Sequence, residues 1–521
     1  MREQLLLLPG YLTAHLQLTL VALGIGLALS VPLGVWVTRR RRFEFAVLGM
    51  ASVIQTIPSL ALLAVMVPAL AVLGGATSHL FGLELRSIGY LPAVIGLTLY
   101  SMLPMLRNTV TGISGVDDSV NEAARAVGMT ENQRLLRVEL PLALPVIIAG
   151  IRTATVWVVG IATLSTPVGA PSLGNYIFSG LQTRNFSAVM TGCVSAAALA
   201  LLLDFLIRWL EIGIRERKRA VMAGPLAVLA GLLLYTGYTF AIDLAAPRDK
   251  LVTIGAKTFT EQYILSELLA LQISQETGVP TRALHSLGST VAFDALRSGD
   301  LDVYVDYSGT IWATVMGRTV LPESRSEVLA QVREYLAVEH GITLVGALGF
   351  ENAYALGMRR GLARELRIDN ISQLAIHAPT LEIAGDYEFF ARPEWAALRD
   401  TYGLKFRRRQ SMDSSLMYQA VRDSQVDVIS AFSTDGRIAA FDIQLVEDDR
   451  GVIPPYDAII LAGERVTNEM PEVFTALGKL VGRITQSRMQ RLNLRVDQQG
   501  ETPKVVAEEF LGELPRGYPA Q

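Results

Sequence analysis

Residues 226–262 read LAVLAGLLLYTGYTFAIDLAAPRDKLVTIGAKTFTEQ, and two solvents meet within them. From Ala220 to Ile242 no residue is charged, a length that spans a bilayer, which takes roughly 20 apolar residues. After Ala246 charges recur every few residues, and LVTIGA (251–256) is a short apolar run of strand length rather than span length. The break near Ala246 divides a membrane half from a globular half.

The rest of the chain follows that division. Its 521 residues are 51% apolar and only 18% charged, with a mean hydropathy of +0.36, and nearly all long uncharged runs precede Ala246. A net charge of −3 gives no field for nucleic acid. The one cysteine, Cys193, lies in an apolar run and is expected as a buried structural thiol; it excludes an intrachain disulfide and a multi-thiolate metal site. His15, His79, His285, His340 and His377 lack metal-ligand spacing, so no metal and no cofactor is expected. No cleavable secretory signal is legible at the N-terminus, so insertion is expected to come from the spans themselves.

Six stretches qualify as spans, near 14–37, 45–73, 88–106, 142–164, 187–210 and 221–242. The second contains Pro58 and Pro68 and is read as one kinked crossing. Arg39 to Arg42, Arg107, Arg125, Arg134, Arg137, Arg215, Arg217, Lys218 and Arg219 cluster on one side, and only Arg2, Arg86 and Arg184 on the other. The positive-inside rule makes the first side cytoplasmic, which puts the N-terminus and everything after Ala246 outside. Arg152 falls within the fourth span, where a charge marks either a pathway or a buried partner. Asp204 and Arg208, four apart on the fifth, are expected to pair.

Between the third and fourth spans, NEAARAVGMTENQRLLRVELPLALP (121–145) has the pattern of a short helix, a turn at Gly128 and a second helix stopped by Pro141. Glu122, Ala123, Ala124, Gly128, Leu140 and Pro141 match the EAA loop of ABC importer permeases, with Val138 where isoleucine is usual. The resemblance implies a coupling helix, about 113–141, that docks on a cytoplasmic ATPase. No G-x-x-x-x-G-K-[ST] loop occurs in the chain, so that ATPase is expected to be a separate subunit. From about Thr19 to Leu210 the chain also resembles permeases of glycine betaine, choline and carnitine importers.

Beyond Leu251, LVTIGA, LDVYVDY, AYALGM, LEIAG, VDVISAF and AIILAG alternate with helical patterns, which predicts α/β units with a largely parallel sheet. The length favours two lobes. This half resembles the binding proteins of betaine and choline importers over nearly its full length, which implies two α/β lobes closing on ligand. By that analogy lobe 1 takes about 251–350 and 455–521, and lobe 2 about 351–454.

Thr258 and Glu261 have capping-box spacing at a helix start whose amides suit an anion, and Gln262 adds a donor. VDYSGT places Tyr307 and Thr310 at a strand end, where α/β folds bind ligands. ENAYALGM supplies Tyr354, AFSTDGR supplies Phe432 and Asp435, and PPYDA supplies Tyr456. These segments match the aromatic cage of the betaine-binding family, with Phe432 where that family often has tyrosine. A trimethylammonium group has no N–H to donate, so aromatic faces must recognise it. GDYEFFARPEW adds Asp386, Glu388 and Arg392; Arg392 either clamps a carboxylate or pairs with Glu388 at i, i+4.

The expected architecture is thus an all-α polytopic permease of six transmembrane helices (1–220, with 221–247 as final helix and linker) fused to an α/β two-lobed binding domain (248–521). The expected function is that of permease and binding subunit of an ABC importer for glycine betaine, choline or carnitine. Ergothioneine, a betaine bearing an imidazole-thione ring, is the alternative, since one-chain fusions resemble its importers; a ligand-gated channel is a lesser one. The implied partners are a separate ATPase homodimer, a second permease copy, a small-molecule ligand and the bacterial inner membrane. No G-x-S-x-G elbow or thiol–histidine pair supports an enzyme, so no catalytic residue is assigned.

Overall fold

The computed structural model describes the chain except residues 1, 82–85, 184, 217, 246–250, 319–323 and 515–521. Arg184, Arg217 and the break at Ala246 lie outside the described residues, as do the side chains of Arg2 and His79. The chain divides into two compact units, 1–178 with 187–247 and 179–186 with 248–521.

The first unit is helical: α1 (Arg2–Arg39), α2 (Glu44–Thr56), α3 (Ser59–Phe81), α4 (Tyr90–Ser114), α5 (Asp118–Ala126), α6 (Glu131–Arg134), α7 (Leu140–Ala162), α8 (Gly174–Gln182, of which 179–182 are assigned to the second unit), α9 (Phe186–Arg215) and α10 (Arg219–Ala245). Four of the described helical stretches are long and apolar enough to cross a membrane, Leu7–Arg39, Glu131–Val168, Phe186–Arg215 and Arg219–Ile242. A fifth crossing results if α2 and α3 are one span, but they meet at 99°, sharper than the expected kink. The break falls at Ile57–Pro58, where proline removes a donor and disfavours helix in the residue before it. The remaining expected span, 88–106, forms α4, which falls short of that apolarity. The reason is burial: Ala93, Gly96, Leu97, Ser101, Thr109 and Gly112 are all covered by protein, so α4 is not selected for lipid contact. Its neighbours approach through glycine. A Cβ on Gly26 of α1 would meet the Ser101 hydroxyl at 1.9 Å, and one on Gly150 of α7 would meet Asn108 Cβ at 2.6 Å.

Three expectations in this unit are corrected. Cys193 is exposed rather than buried, on a face of α9 shared with Met190, Val194, Leu201 and Phe205. An apolar residue on a membrane helix is stable facing outward, so an apolar neighbourhood does not imply a core. Asp204 does not pair with Arg208. It accepts instead from Arg152 Nε (2.9 Å) and Nη2 (3.2 Å), while Arg152 Nη1 reaches Glu211 (3.0 Å), which joins α7 to α9 and gives the intramembrane arginine its partners. Pro141 starts a helix instead of ending one. It occupies the first turn of α7, where a missing N–H costs nothing, and a π-helical turn, Leu135–Glu139, precedes it.

The loop before α7 is otherwise a helix, a turn and a helix. Asp117 caps α5 by accepting from Ser119 N, Gly128 takes φ +80°, and Thr130 and Gln133 form a reciprocal capping box at α6. Glu122, Ala123 and Gly128 are exposed and Ala124 is buried; Leu140 is half-buried and Pro141 exposed. Val127 and Leu136 also face outward. Glu139, almost wholly buried, accepts from Arg134 Nε (2.8 Å) and from Arg39, which anchors this loop to the end of α1.

Among its described residues the second unit contains ten strands: β1 (Val252–Lys257), β2 (Thr281–Leu287), β3 (Val303–Tyr307), β4 (Thr343–Glu351), β5 (Tyr354–Arg359), β6 (Glu382–Gly385), β7 (Arg408–Ser411), β8 (Val428–Phe432), β9 (Ile443–Val446) and β10 (Asp457–Ala462). They form two five-stranded sheets, β2-β1-β3-β10-β4 and β7-β6-β8-β5-β9. Both are mixed, not largely parallel: β10 runs antiparallel to β3 and β4, and β5 antiparallel to β8 and β9. The cause is connectivity. The chain leaves the first sheet at β4 and enters the second at β5 within two residues, then returns through β9 to β10, and a directly continued strand enters the new sheet against its neighbours. The two crossings touch, since Asn352 N donates to Tyr456 O at 2.9 Å. Helix α11 (Thr260–Thr277) follows β1 and packs against the core with Ile264, Leu265, Leu268, Leu269 and Ile273.

Candidate ligand-binding cleft

The strand ends of the two sheets meet around a cavity of about 170 Å³. Tyr307, Thr310, Tyr354, Glu388, Arg392, Phe432 and Tyr456 all line it. Their positions follow from the fold: β3 ends at Tyr307, β5 begins at Tyr354 opposite the end of β8 at Phe432, and Tyr456 precedes β10. Tyr354 and Phe432 are direct antiparallel partners, with ring centroids 5.0 Å apart.

The rings form a connected set. Tyr354 meets Tyr456 edge-on at 5.9 Å. Phe259, which was not singled out in the sequence, stacks on Phe432 (6.0 Å) and Tyr307 (6.1 Å), and lines the cavity. It lies inside KTFTEQ, but an aromatic beside a helix start reads equally as core, and only the turn out of β1 aims it into the cleft. These five connected rings, with Tyr387 as a sixth aromatic outside the connected set, thus line one small space, the arrangement that attracts a cation lacking donors.

The polar side of the cleft is acidic at its mouth. Asp386 Oδ1 accepts from the backbone N–H of Glu388 (2.8 Å) and Phe389 (3.0 Å), while burial pushes its carboxyl above the ordinary range. Arg392 pairs with Glu388 at i, i+4, one of its two expected roles, and its guanidinium lies 5.3 Å from the Tyr354 ring centre. Its Nε remains buried with no acceptor among the described residues. The other cation lining the cleft, Lys257, is committed to Asp306.

Two expected ligand contacts are displaced, and one cap is absent. Gln262 is buried behind the cleft, where Oε1 accepts from Lys257 N (3.3 Å) and Nε2 donates to Val305 O (3.0 Å) and to the Tyr307 hydroxyl (3.1 Å). It orients a cage ring instead of lining the cavity. Asp435 is held by Arg437, its Oδ1 accepting from Arg437 Nε at 2.8 Å, beside a second, smaller cavity. Thr258 and Glu261 do not form a capping box: α11 begins one residue later than that spacing requires, with Phe259 at its N-cap position and no side-chain cap. Glu261 is turned inward, where it accepts from Tyr307 Oη (2.6 Å), Asn352 Nδ2 (3.1 Å) and Asn493 Nδ2 (3.2 Å). No cluster of three metal-ligating side chains occurs among the described residues.

Helical permease and two-sheet cleft define a class: a membrane transport subunit carrying its own solute-binding domain. Residues 250–513 match the substrate binding domain of ABC-type glycine betaine transport systems. Residues 30–216 match the inner membrane component of binding-protein-dependent transport systems. The chain belongs to this ABC importer family, as a permease fused to its binding domain. It is 29% identical over 501 residues to an ergothioneine transport permease/ergothioneine binding protein of Helicobacter pylori (strain G27), covering 94% of this chain and 87% of that one. The permease half is 39% identical over 204 residues to a glycine betaine/carnitine/choline transport system permease protein of Bacillus subtilis (strain 168), covering 39% of this chain and 84% of that protein. The binding half is 30% identical over 292 residues to a carnitine transport binding protein of Listeria monocytogenes serotype 1/2a (strain 10403S), covering 54% of this chain and 94% of that protein.

Proposed function

We propose that this chain captures a small trimethylammonium solute, glycine betaine, choline or carnitine, and passes it inward through a paired permease. The observation that carries this reading is the set of five rings, Phe259, Tyr307, Tyr354, Phe432 and Tyr456, around a single small cavity. The trimethylammonium head rests among the rings, and a ligand carboxylate takes the free Arg392 Nε–H. Energy comes from a separate ATPase homodimer that docks on the loop carrying Glu122, Ala123, Ala124, Gly128, Leu140 and Pro141. Two copies of the chain pair in the bacterial inner membrane, with residues 248–521 on the outer side. Tethering then makes capture local to the pathway.

Calorimetric titration of the purified chain with glycine betaine, choline, carnitine and ergothioneine tests the ligand reading. Binding by none of them overturns it. Ergothioneine is the second reading, favoured by the relative that shares the same fusion along 94% of this chain. It keeps the trimethylammonium head and adds a ring N–H that Asp386 or Glu388 accepts. Preference for ergothioneine over the other three selects that reading. Uptake into vesicles that persists without any ATPase would overturn the importer mechanism in favour of a gated channel.

A further inference from the structure

Two cage tyrosines share a feature that ring stacking does not require. Each donates its phenol to a carboxylate buried behind the cleft, Tyr307 to Glu261 (2.6 Å) and Tyr456 to Glu394. Glu261 is 2% exposed and Glu394 3%. Neither forms an ion pair among the described residues. Glu261 is surrounded by neutral donors, Tyr307, Asn352, Asn493 and Thr434, and Glu394 Oε2 is buried without a partner.

A buried carboxylate without a directly paired counter-charge is costly, and here two of them back the same five-ring cavity from different elements, α11 and the helix Pro393–Tyr402. Glu261 sits among neutral donors, and Glu394 feels Arg392 only at longer range, that guanidinium being paired with Glu388. A cation held among the rings supplies the missing charge. A phenol that donates to an anion gains ring electron density, and Coulomb attraction acts strongly across the dry protein between ring and carboxylate. Burial and these carboxylates raise both phenols well above their ordinary range, so the hydroxyls stay donors.

We infer that Glu261 and Glu394 are positioning residues that act through Tyr307 and Tyr456 to make the cleft select a quaternary cation over a neutral molecule of the same shape. This rests on the trimethylammonium reading above.

The test uses the full chain in nanodiscs and two probe pairs that differ only in N⁺ against carbon: choline with 3,3-dimethylbutan-1-ol, and glycine betaine with 3,3-dimethylbutanoate. Glu261→Gln and Glu394→Gln keep an acceptor for each phenol but remove the charge. Each variant is expected to lose about tenfold in affinity for the cationic member, while affinity for the carbon isostere changes by less than about twofold. Equal loss for both members, or no loss, overturns the inference, because a purely structural role cannot tell nitrogen from carbon. If one variant fails to fold, the other reports on its own carboxylate. An unaltered chain that binds none of choline, glycine betaine, carnitine and ergothioneine refutes that ligand reading and this inference with it. An unaltered chain that binds choline or glycine betaine, with an unchanged ratio in the variants, refutes this inference alone.

Discussion

Tyr456 lies so close to Gly309 that a Cβ on the glycine would sit 2.7 Å from the ring carbons Cδ2 and Cε2. The only residue that fits beneath this face of the cage is one without a side chain. Gly309 has helical neighbours and no positive φ, so alanine suits the backbone and acts through the ring alone. Gly309→Ala is expected to displace Tyr456 at a cost of about 1–3 kcal/mol of overpacking. Calorimetry should show ligand affinity falling by about tenfold or more, with circular dichroism unchanged.

Phe432 bridges Phe259 and Tyr354 and closes the ring set. Phe432→Ala opens it, and loss of one cation–π face costs about 1–2 kcal/mol. Phe432→Tyr keeps the face, so titration should show near-normal affinity for the tyrosine variant and a clear loss for the alanine one.

Gly128 sits at φ +80° with open space where a Cβ would go. Gly128→Val therefore meets no clash within the chain, only backbone strain of roughly 1–2 kcal/mol, but it reshapes the turn between α5 and α6. Ligand binding by the purified variant should be intact while ATP-driven uptake into proteoliposomes is lost. Uptake at the normal rate would remove this turn from the coupling surface.

Glu139 neutralises two arginines, and Arg134 is itself almost fully buried. Glu139→Ala leaves a buried guanidinium without a partner, which costs about 3 kcal/mol. Thermal unfolding in detergent should shift down, and limited trypsin digestion should cut faster at Arg134 and Arg137. Glu139→Gln retains one acceptor and should fall between the two.

His285, on β2 in the second unit, packs its ring on Tyr263 at 5.2 Å, and burial pulls its pKa from 6.5 to about 4. The folded state thus holds a neutral ring that the unfolded chain protonates more readily. The stability this contributes is complete above pH 6.5 and declines as pH falls toward 4, by on the order of 2 kcal/mol once the ring's partial exposure is allowed for. Urea unfolding at pH 7.5 and pH 4.5 should show a larger acid-induced loss for the native chain than for His285→Gln.

The permease-to-cleft division, the six central or cleft-bordering strands and four of the five cage rings were legible because each rests on a local pattern. An uncharged run of span length, a fully buried strand such as AIILAG, or an aromatic at a strand end announces itself within a few residues. The missed strands lack that signal. β7 is RRQS, an edge strand with exposed arginines, and β4 is interrupted by Gly346 and Gly349. Proline at 141 was misread as a stop because the same residue serves the first turn of a new helix.

Sequence by itself determined that this chain has membrane-spanning helices, a helix–turn–helix loop before the fourth expected span and a two-lobed α/β domain, since hydropathy and periodicity record which solvent each segment meets. Only the tertiary structure decided which polar groups face the cleft. Gln262 and Glu261 turned behind it, Phe259 turned into it, and Asp204 chose Arg152 over Arg208. The physical reason is the same in each case. A side chain's partner is set by distance after folding, and residues 46 or 52 positions apart in sequence, as Glu261 and Tyr307 or Arg152 and Asp204 are, carry no local trace of meeting.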